Sequence, residues 1–262
     1  MTRTFFVGSA LPALEVGKEL EWTFDDLMAF FSLNLSSGQK KSIEQVRSYI
    51  DLLNVRQMLR KGPLDPHGKL TEKELDEALV HREGLPSYLF TYLEGFESSK
   101  EQDRHYARVL ISFFQEMKRA ARGFVHFYFS LERDLRLILT ALRAKRRKLD
   151  VTKELQDEDF SDSLIAQLLA QKDAAQFIFP FEYRSLGTAL EGTEGDPLAE
   201  HRAITQFRFD QVEGQFRDTP FSSDAAVGYF IQFILIEDDN HLNDAKGEEK
   251  LRQIATLSEE TP

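Results

Sequence analysis

The chain has 262 residues, no cysteine, and 33 Lys and Arg against 44 Asp and Glu, a formal charge of −11. Its length suffices for one large domain or two small ones, and the missing thiols exclude disulfides, thiolate metal sites and a cysteine nucleophile. The negative charge repels phosphate, which argues against nucleic acid and bare anionic membranes as partners and leaves basic protein surfaces open.

The N-terminal run Thr4–Leu14 reads as extended or loop, because Pro12 opposes a helix interior. Gly8, Ser9 and Pro12 break its apolar part, so it is not expected to be a cleaved leader. Thr23 followed by Asp25 and Asp26 is an N-cap with acids in the first turn, opening a helix to about Leu33. A long helix follows over 38–61, with Ile43, Val46, Ile50 and Leu53 on one stripe and Gly62-Pro63 as its stop. After a connector over 64–70, Thr71-x-x-Glu74 is a capping box for a short helix, and Gly84-Leu85-Pro86 separates it from another ending near Glu94. Ser98-x-x-Glu101 opens a helix to about Ala120.

The next helix, over 121–148, carries the strongest period: Phe124, Tyr128, Leu131, Leu135, Ile138 and Leu142 step by three and four residues, a seam for packing against neighbouring helices. The acidic stretch over 150–162 that follows reads as a connector or a weak helix start. Residues 187–197, rich in Gly, Thr and Glu, read as a mobile loop between helical segments. Ala199–Arg217 is helical, Asp218-Thr219-Pro220 breaks it, and Ser222-Ser223-Asp224 caps a final helix to about Leu242 that is apolar on most sides. Its uncharged stretch, 225–236, is well short of the ~20 residues that span a bilayer. The end, Ser258–Pro262, reads as frayed. With no sustained alternation, the expected class is all-α. A shorter helix, a break and a long helix recur near 23–61, 100–148 and 199–242, which gives one helical domain over 1–262 with lobes at 1–97, 98–186 and 198–262. Asp51-Leu52-x₆-Leu59-Arg60 is echoed by Asp134-Leu135-x₆-Leu142-Arg143, with Val55 and Ile138 in register.

Few residues invite chemistry. The six histidines form no pair with metal spacing, and no phosphate-binding loop or nucleophile elbow is present. We expect no catalytic residue, cofactor or metal. The acids Glu237, Asp238, Asp239 and Asp244, with Asp25 and Asp26 as a second set, leave a magnesium-dependent enzyme as the weakest alternative. Arg143, Lys145, Arg146 and Arg147 lie at a helix C-terminus, where they complement the dipole or form a docking patch for an acidic partner. Asn54, at the edge of an apolar stripe and three residues after Asp51, is expected to cap or bridge another helix.

Asp51-x-x-Asn54-Val55-x-x-Met58-Leu59-Arg60 resembles a helix signature of the V/A-type ATPase C-subunit family, the d-subunits of eukaryotes. Phe5-Phe6-Val7-x-Ser9-x-Leu11-Pro12-x-Leu14 with Gly17 is similar to a compact bacterial family encoded beside V-type ATPase genes, as are Asp65-Pro66-x-Gly68 before Thr71-x-x-Glu74-Leu75, and Asp224–Glu237. The resemblance implies three similar helical lobes in a pseudo-threefold funnel. It implies a non-catalytic adaptor that seats the central axle subunits on the membrane rotor ring and transmits torque. Such a protein sits in the cytoplasm, peripheral to the inner membrane, with no span of its own. The chain is shorter than typical members of the C-subunit family and lacks their long leading helix. Asp51, Asn54, Arg60, Asp134, Arg143, Lys145, Arg146 and Arg147 are the candidates for partner contact or inter-helix bridging. The alternative from the residues alone is a helical interaction module unrelated to ATPases.

Overall fold

The computed structural model describes residues 3–174 and 176–242, and among these it is all-helical, with no strand. The helices are α1 (Arg3–Ala10), α2 (Phe24–Asn34), α3 (Ser37–Arg60), α4 (Glu72–His81), α5 (Ser87–Glu94), α6 (Ser99–Arg104), α7 (Ala107–Ala120), α8 (Gly123–Arg146), α9 (Val151–Glu154), α10 (Ser163–Ala170), α11 (Arg184–Ala189), α12 (Pro197–Gly214) and α13 (Ala225–His241). The expected frayed end at Ser258–Pro262 and the acid Asp244 lie outside the described residues.

The contacts group the chain into two compact units: a terminal unit, Met1–Gln39 with Phe181–Pro262, and a central unit, Lys40–Pro180. The leading segment belongs with the last helices because α1 packs on α13 and the Phe24 ring lies 6.1 Å from that of Phe230. In the terminal unit α12 packs against α11 and α13, and Phe207, Phe209, Phe230, Phe233 and Ile236 are buried. In the central unit α8 packs against α7, α9 and α10, and the whole expected seam from Phe124 to Leu142 is buried. Nine of the chain's 22 phenylalanines are buried. Tyr49, Phe113, Phe114 and Phe129 form one aromatic cluster, with ring centroids 5.0–5.9 Å apart.

Local signals place most boundaries. Thr23 and Thr71 both close reciprocal capping boxes, with Asp26 and Glu74. The hydrogen bonds they accept hold both carboxyls below the usual carboxylate range. Helix α3 ends in a Schellman arrangement in which the Gly62 N–H donates to Gln57 O and the Lys61 N–H to Met58 O. The left-handed residue is Lys61, φ 56°, rather than the glycine that follows it. Lys148, φ 57°, ends α8 in the same way.

Three expectations need correction. The Thr4–Leu14 loop is largely helix: Pro12 constrains Leu11, and α1 stops just before it. The single helix over 98–120 is two, α6 and α7, because the chain turns at Tyr106 to bury its ring completely and let its hydroxyl donate to Leu52 O at 2.6 Å. The loop over 187–197 begins inside α11, anchored by buried Leu186 and Leu190, and its Thr193 hydroxyl donates to Leu190 O at 2.9 Å. Helix α10, capped by Asp162, adds a segment that the sequence pattern does not announce.

Candidate functional site

The terminal unit holds an open-mouthed cavity of about 570 Å³, within the size range of ligand and side-chain pockets. Val7 and Gly8 of α1, the Leu11–Leu14 segment, Phe209 and Glu213 of α12, and Tyr229 and Gln232 of α13 line it together with the 216–222 turn. Two glycines build that wall. A Cβ on Gly228 would stand 2.2 Å from the Phe216 ring, and one on Gly8 would stand 2.7 Å from the Phe221 ring. The turn between α12 and α13 is thus seated by two rings in two notches that only glycine leaves open. Gln39 fixes the rim: it donates to Ser223 O at 2.7 Å and accepts from the Ser36 N–H at 2.9 Å.

Within this lining, the hydroxyls of Tyr229 and Ser222 are buried and find no hydrogen-bond partner among the described residues. Burial first, and then the Glu21 carboxylate, push the Tyr229 phenol up, so it stays a neutral donor. Such orphans are rare in packed interiors and mark a place where a further polar group fits.

The central unit explains Asp51 and Asn54. They are 2% and 1% exposed, and they hold the chain's own connector. Asn54 Nδ2 donates to Asp65 O at 2.9 Å and its Oδ1 accepts from the Asp65 N–H at 2.8 Å. Asp51 Oδ1 accepts from the Leu70 N–H at 3.0 Å. Arg47 adds two bonds, from Nε to His67 O and from Nη2 to Gly68 O. Gly68 lies so close that a Cβ there would stand 2.7 Å from Asp51 Oδ1 and 2.9 Å from Asn54 Nδ2. Burial raises the Asp51 carboxyl pKa, against the backbone donors of Leu70 and Lys69 that lower it. Asn54 therefore bridges a connector rather than another helix, and neither residue is accessible to a partner.

The remaining candidates separate. Arg60 and Arg56 each donate from Nε to Asp103 Oδ1, at 2.7 and 2.9 Å, and together they hold that carboxyl below its usual range against its partial burial. Asp134 accepts from Arg133 Nη1 at 2.9 Å, while Arg133 Nη2 reaches Asp162, the cap of α10. The internal echo is therefore apolar only: Val55 and Ile138 are both buried, but Asp51 and Asp134 have different partners. Lys145 is spent on the fold, its Nζ donating to Gln171 O and Ala174 O at 2.6 Å each and to Lys172 O at 3.3 Å. Arg143, Arg146, Arg147 and Lys148 are exposed at the end of α8.

Among the described residues, the acids of the magnesium alternative do not form one set. Asp26 is committed to its capping box. Asp239, 3% exposed, faces Arg202 Nε at 3.8 Å. Asn240 donates to Lys18 O at 3.0 Å.

Compared with known proteins, the chain matches along residues 1–261 the profile of a family described as "Protein of unknown function (DUF2764)". A Chlamydia muridarum protein is 24% identical over 255 residues, covering 95% of this chain and 96% of its own. Proteins of Chlamydia pneumoniae and Chlamydia trachomatis are each 23% identical, over 97% and 95% of this chain and 98% and 96% of theirs. All three are described as uncharacterized. No solved structure matches.

Proposed function

Because the chain belongs to the DUF2764 family, whose description assigns no activity, its role rests on its own residues, and we propose that it is a non-catalytic adaptor in the central stalk of a V/A-type rotary ATPase. In this reading it seats the axle on the membrane rotor ring at the cytoplasmic face of the inner membrane. One observation carries the proposal: the segments that resemble the ATPase-linked families meet in pairs. The 51–60 helix and the 65–75 segment interlock through Asp51, Asn54 and Gly68. The 5–14 run and the 224–237 helix both contribute to the cavity of the terminal unit. Segments far apart in sequence that form shared elements support a likeness of fold over a chance likeness of composition. No helix among the described residues is long and apolar enough to cross a membrane, so a place on the complex would come through protein contacts.

The test is co-purification with the axle and ring subunits of the same organism's V-type ATPase at moderate salt, where exposed charge pairs are screened but not abolished. Equimolar capture by the axle, weakened by the triple variant Arg143→Glu, Arg146→Glu and Arg147→Glu, supports the adaptor and locates its contact. Charge reversal at Asp51 tests only folding, since that side chain is buried. The contacts group the chain into two compact units, and a helical interaction module with no ATPase partner is the second reading. Failure of folded axle and folded ring to capture the chain selects that reading.

A further inference from the structure

Charge is segregated between the units in a way the linear sequence hides, because the terminal unit is discontinuous. That unit holds 9 Lys and Arg against 22 Asp and Glu, a formal −13, while the central unit holds 24 against 22, a formal +2. The acidic unit is also the one with the 570 Å³ cavity. Its lining includes the apolar Val7, Leu11, Leu14, Phe209 and Phe216, together with the carboxylate of Glu213 and the cation of Arg217. Phe5 and Phe221, whose rings lie 4.8 Å apart and tilted by 41° beside the Gly8 notch, remain 38% and 44% exposed. Apolar rings left this open in so acidic a unit mark a docking surface rather than a closed core.

We infer that the terminal-unit cavity is the receptor for a basic, amphipathic helical segment of a partner protein, which inserts apolar side chains against Leu11, Phe209 and Phe216 and brings Lys or Arg to the acidic surroundings. The orphaned hydroxyls of Tyr229 and Ser222 give the inserted segment two polar anchors. Apolar anchors on one helical face with cations beside them are the usual chemistry of a helix laid in a groove. A partner of opposite charge gains association rate and selectivity from the −13 unit, and an acidic helix of the same shape is turned away. The inference goes beyond the rotary-ATPase proposal and does not depend on it, since any partner presenting such a helix would fit.

The experiment measures fluorescence anisotropy of labelled synthetic 18-residue peptides with the full chain. One peptide is a Leu/Lys amphipathic helix, one has Glu for every Lys, and one has Ser for every Leu. Saturable binding of the Leu/Lys peptide is expected, at least about tenfold tighter than either control and weakening as salt rises. Ala13→Trp, which fills the mouth from an exposed position, and Glu213→Lys are each expected to weaken it severalfold. Tyr229→Phe weakens it too without lowering Tm, since an unpartnered hydroxyl adds nothing to the fold. Glu83→Lys, an exposed change in the central unit, leaves it unchanged.

Equal binding of the acidic peptide, or binding indifferent to Ala13→Trp and Glu213→Lys, overturns the inference. So does a concentration-dependent dimer that Ala13→Trp dissociates, which would make the occupant a second copy. Uptake of 8-anilinonaphthalene-1-sulfonate abolished by Ala13→Trp, with no peptide binding, would assign the cavity to a small amphiphile instead. Because no ATPase component is used, this outcome and the co-purification outcome are read independently.

Discussion

Gly68→Ala tests whether the clamp between α3 and the 64–70 connector is the main polar fastening of the central unit. Gly68 is not in the left-handed region, so alanine brings no backbone penalty, only its methyl group. That methyl would sit 2.7 Å from Asp51 Oδ1 and 2.9 Å from Asn54 Nδ2, closer than a Cβ normally approaches any atom. Both neighbours are short, buried side chains held by their own bonds, so relief requires breaking the Leu70 N–H bond to Asp51 or the Asn54 bond to Asp65 O. Losing one such bond and leaving a buried polar group unpartnered costs ~1–3 kcal/mol, and disturbing both gives roughly 2–4 kcal/mol. In a unit of this size that is a fall in Tm of about 5–12 °C. Circular dichroism at 222 nm, with heat and with urea, reads the change. The control is Gly38→Ala in the first turn of α3, where a Cβ meets open space, and a gain of up to ~1 kcal/mol is expected. A Gly68→Ala protein as stable as the parent, or a Gly38→Ala protein that falls equally, would refute the clamp.

Four other substitutions probe the packing elsewhere. Gly228→Ala drives the Phe216 ring from its notch and is expected to lose ~1–3 kcal/mol in urea unfolding. Lys145→Met leaves the carbonyls of Gln171, Lys172 and Ala174 without their shared donor, for an expected loss of ~1–2 kcal/mol. Lys61→Gly relieves a side chain from the left-handed region at the end of α3 and is expected to raise stability by ~1 kcal/mol, read as a higher urea midpoint. His201 has its pKa lowered chiefly by burial, against the pull of Asp239. The unfolded chain therefore binds that proton first, and His201 contributes stability that is present above pH ~6.5 and lost as pH falls toward its folded value. His201→Gln should flatten that part of the Tm-against-pH curve.

Much of what is local in this protein was legible from the residues alone, although the helices α1 and α10 were not. The six-residue seam of α8, the Thr23 and Thr71 capping boxes and the all-helical class depend on contacts within a few residues, and each is where the periods place it. Asn54 was legible as a residue that needs a partner, because a polar side chain on an apolar stripe is costly alone, and Asp51 as its companion in the signature. Their partner was not, since nothing local distinguishes a connector 11–19 residues away from a neighbouring helix. The same limit hid the turn at Tyr106, whose hydroxyl partner is 54 residues away, and the use of Lys145 as a cap for carbonyls beyond α10 rather than as a surface cation. It took tertiary packing to join the two ends of the chain into one unit and to set Phe216 and Phe221 on Gly228 and Gly8, which made both the cavity and its acidic setting. A helix's period is written by its own hydrogen bonds, whereas a cavity and a unit's net charge are sums over segments that only packing brings together.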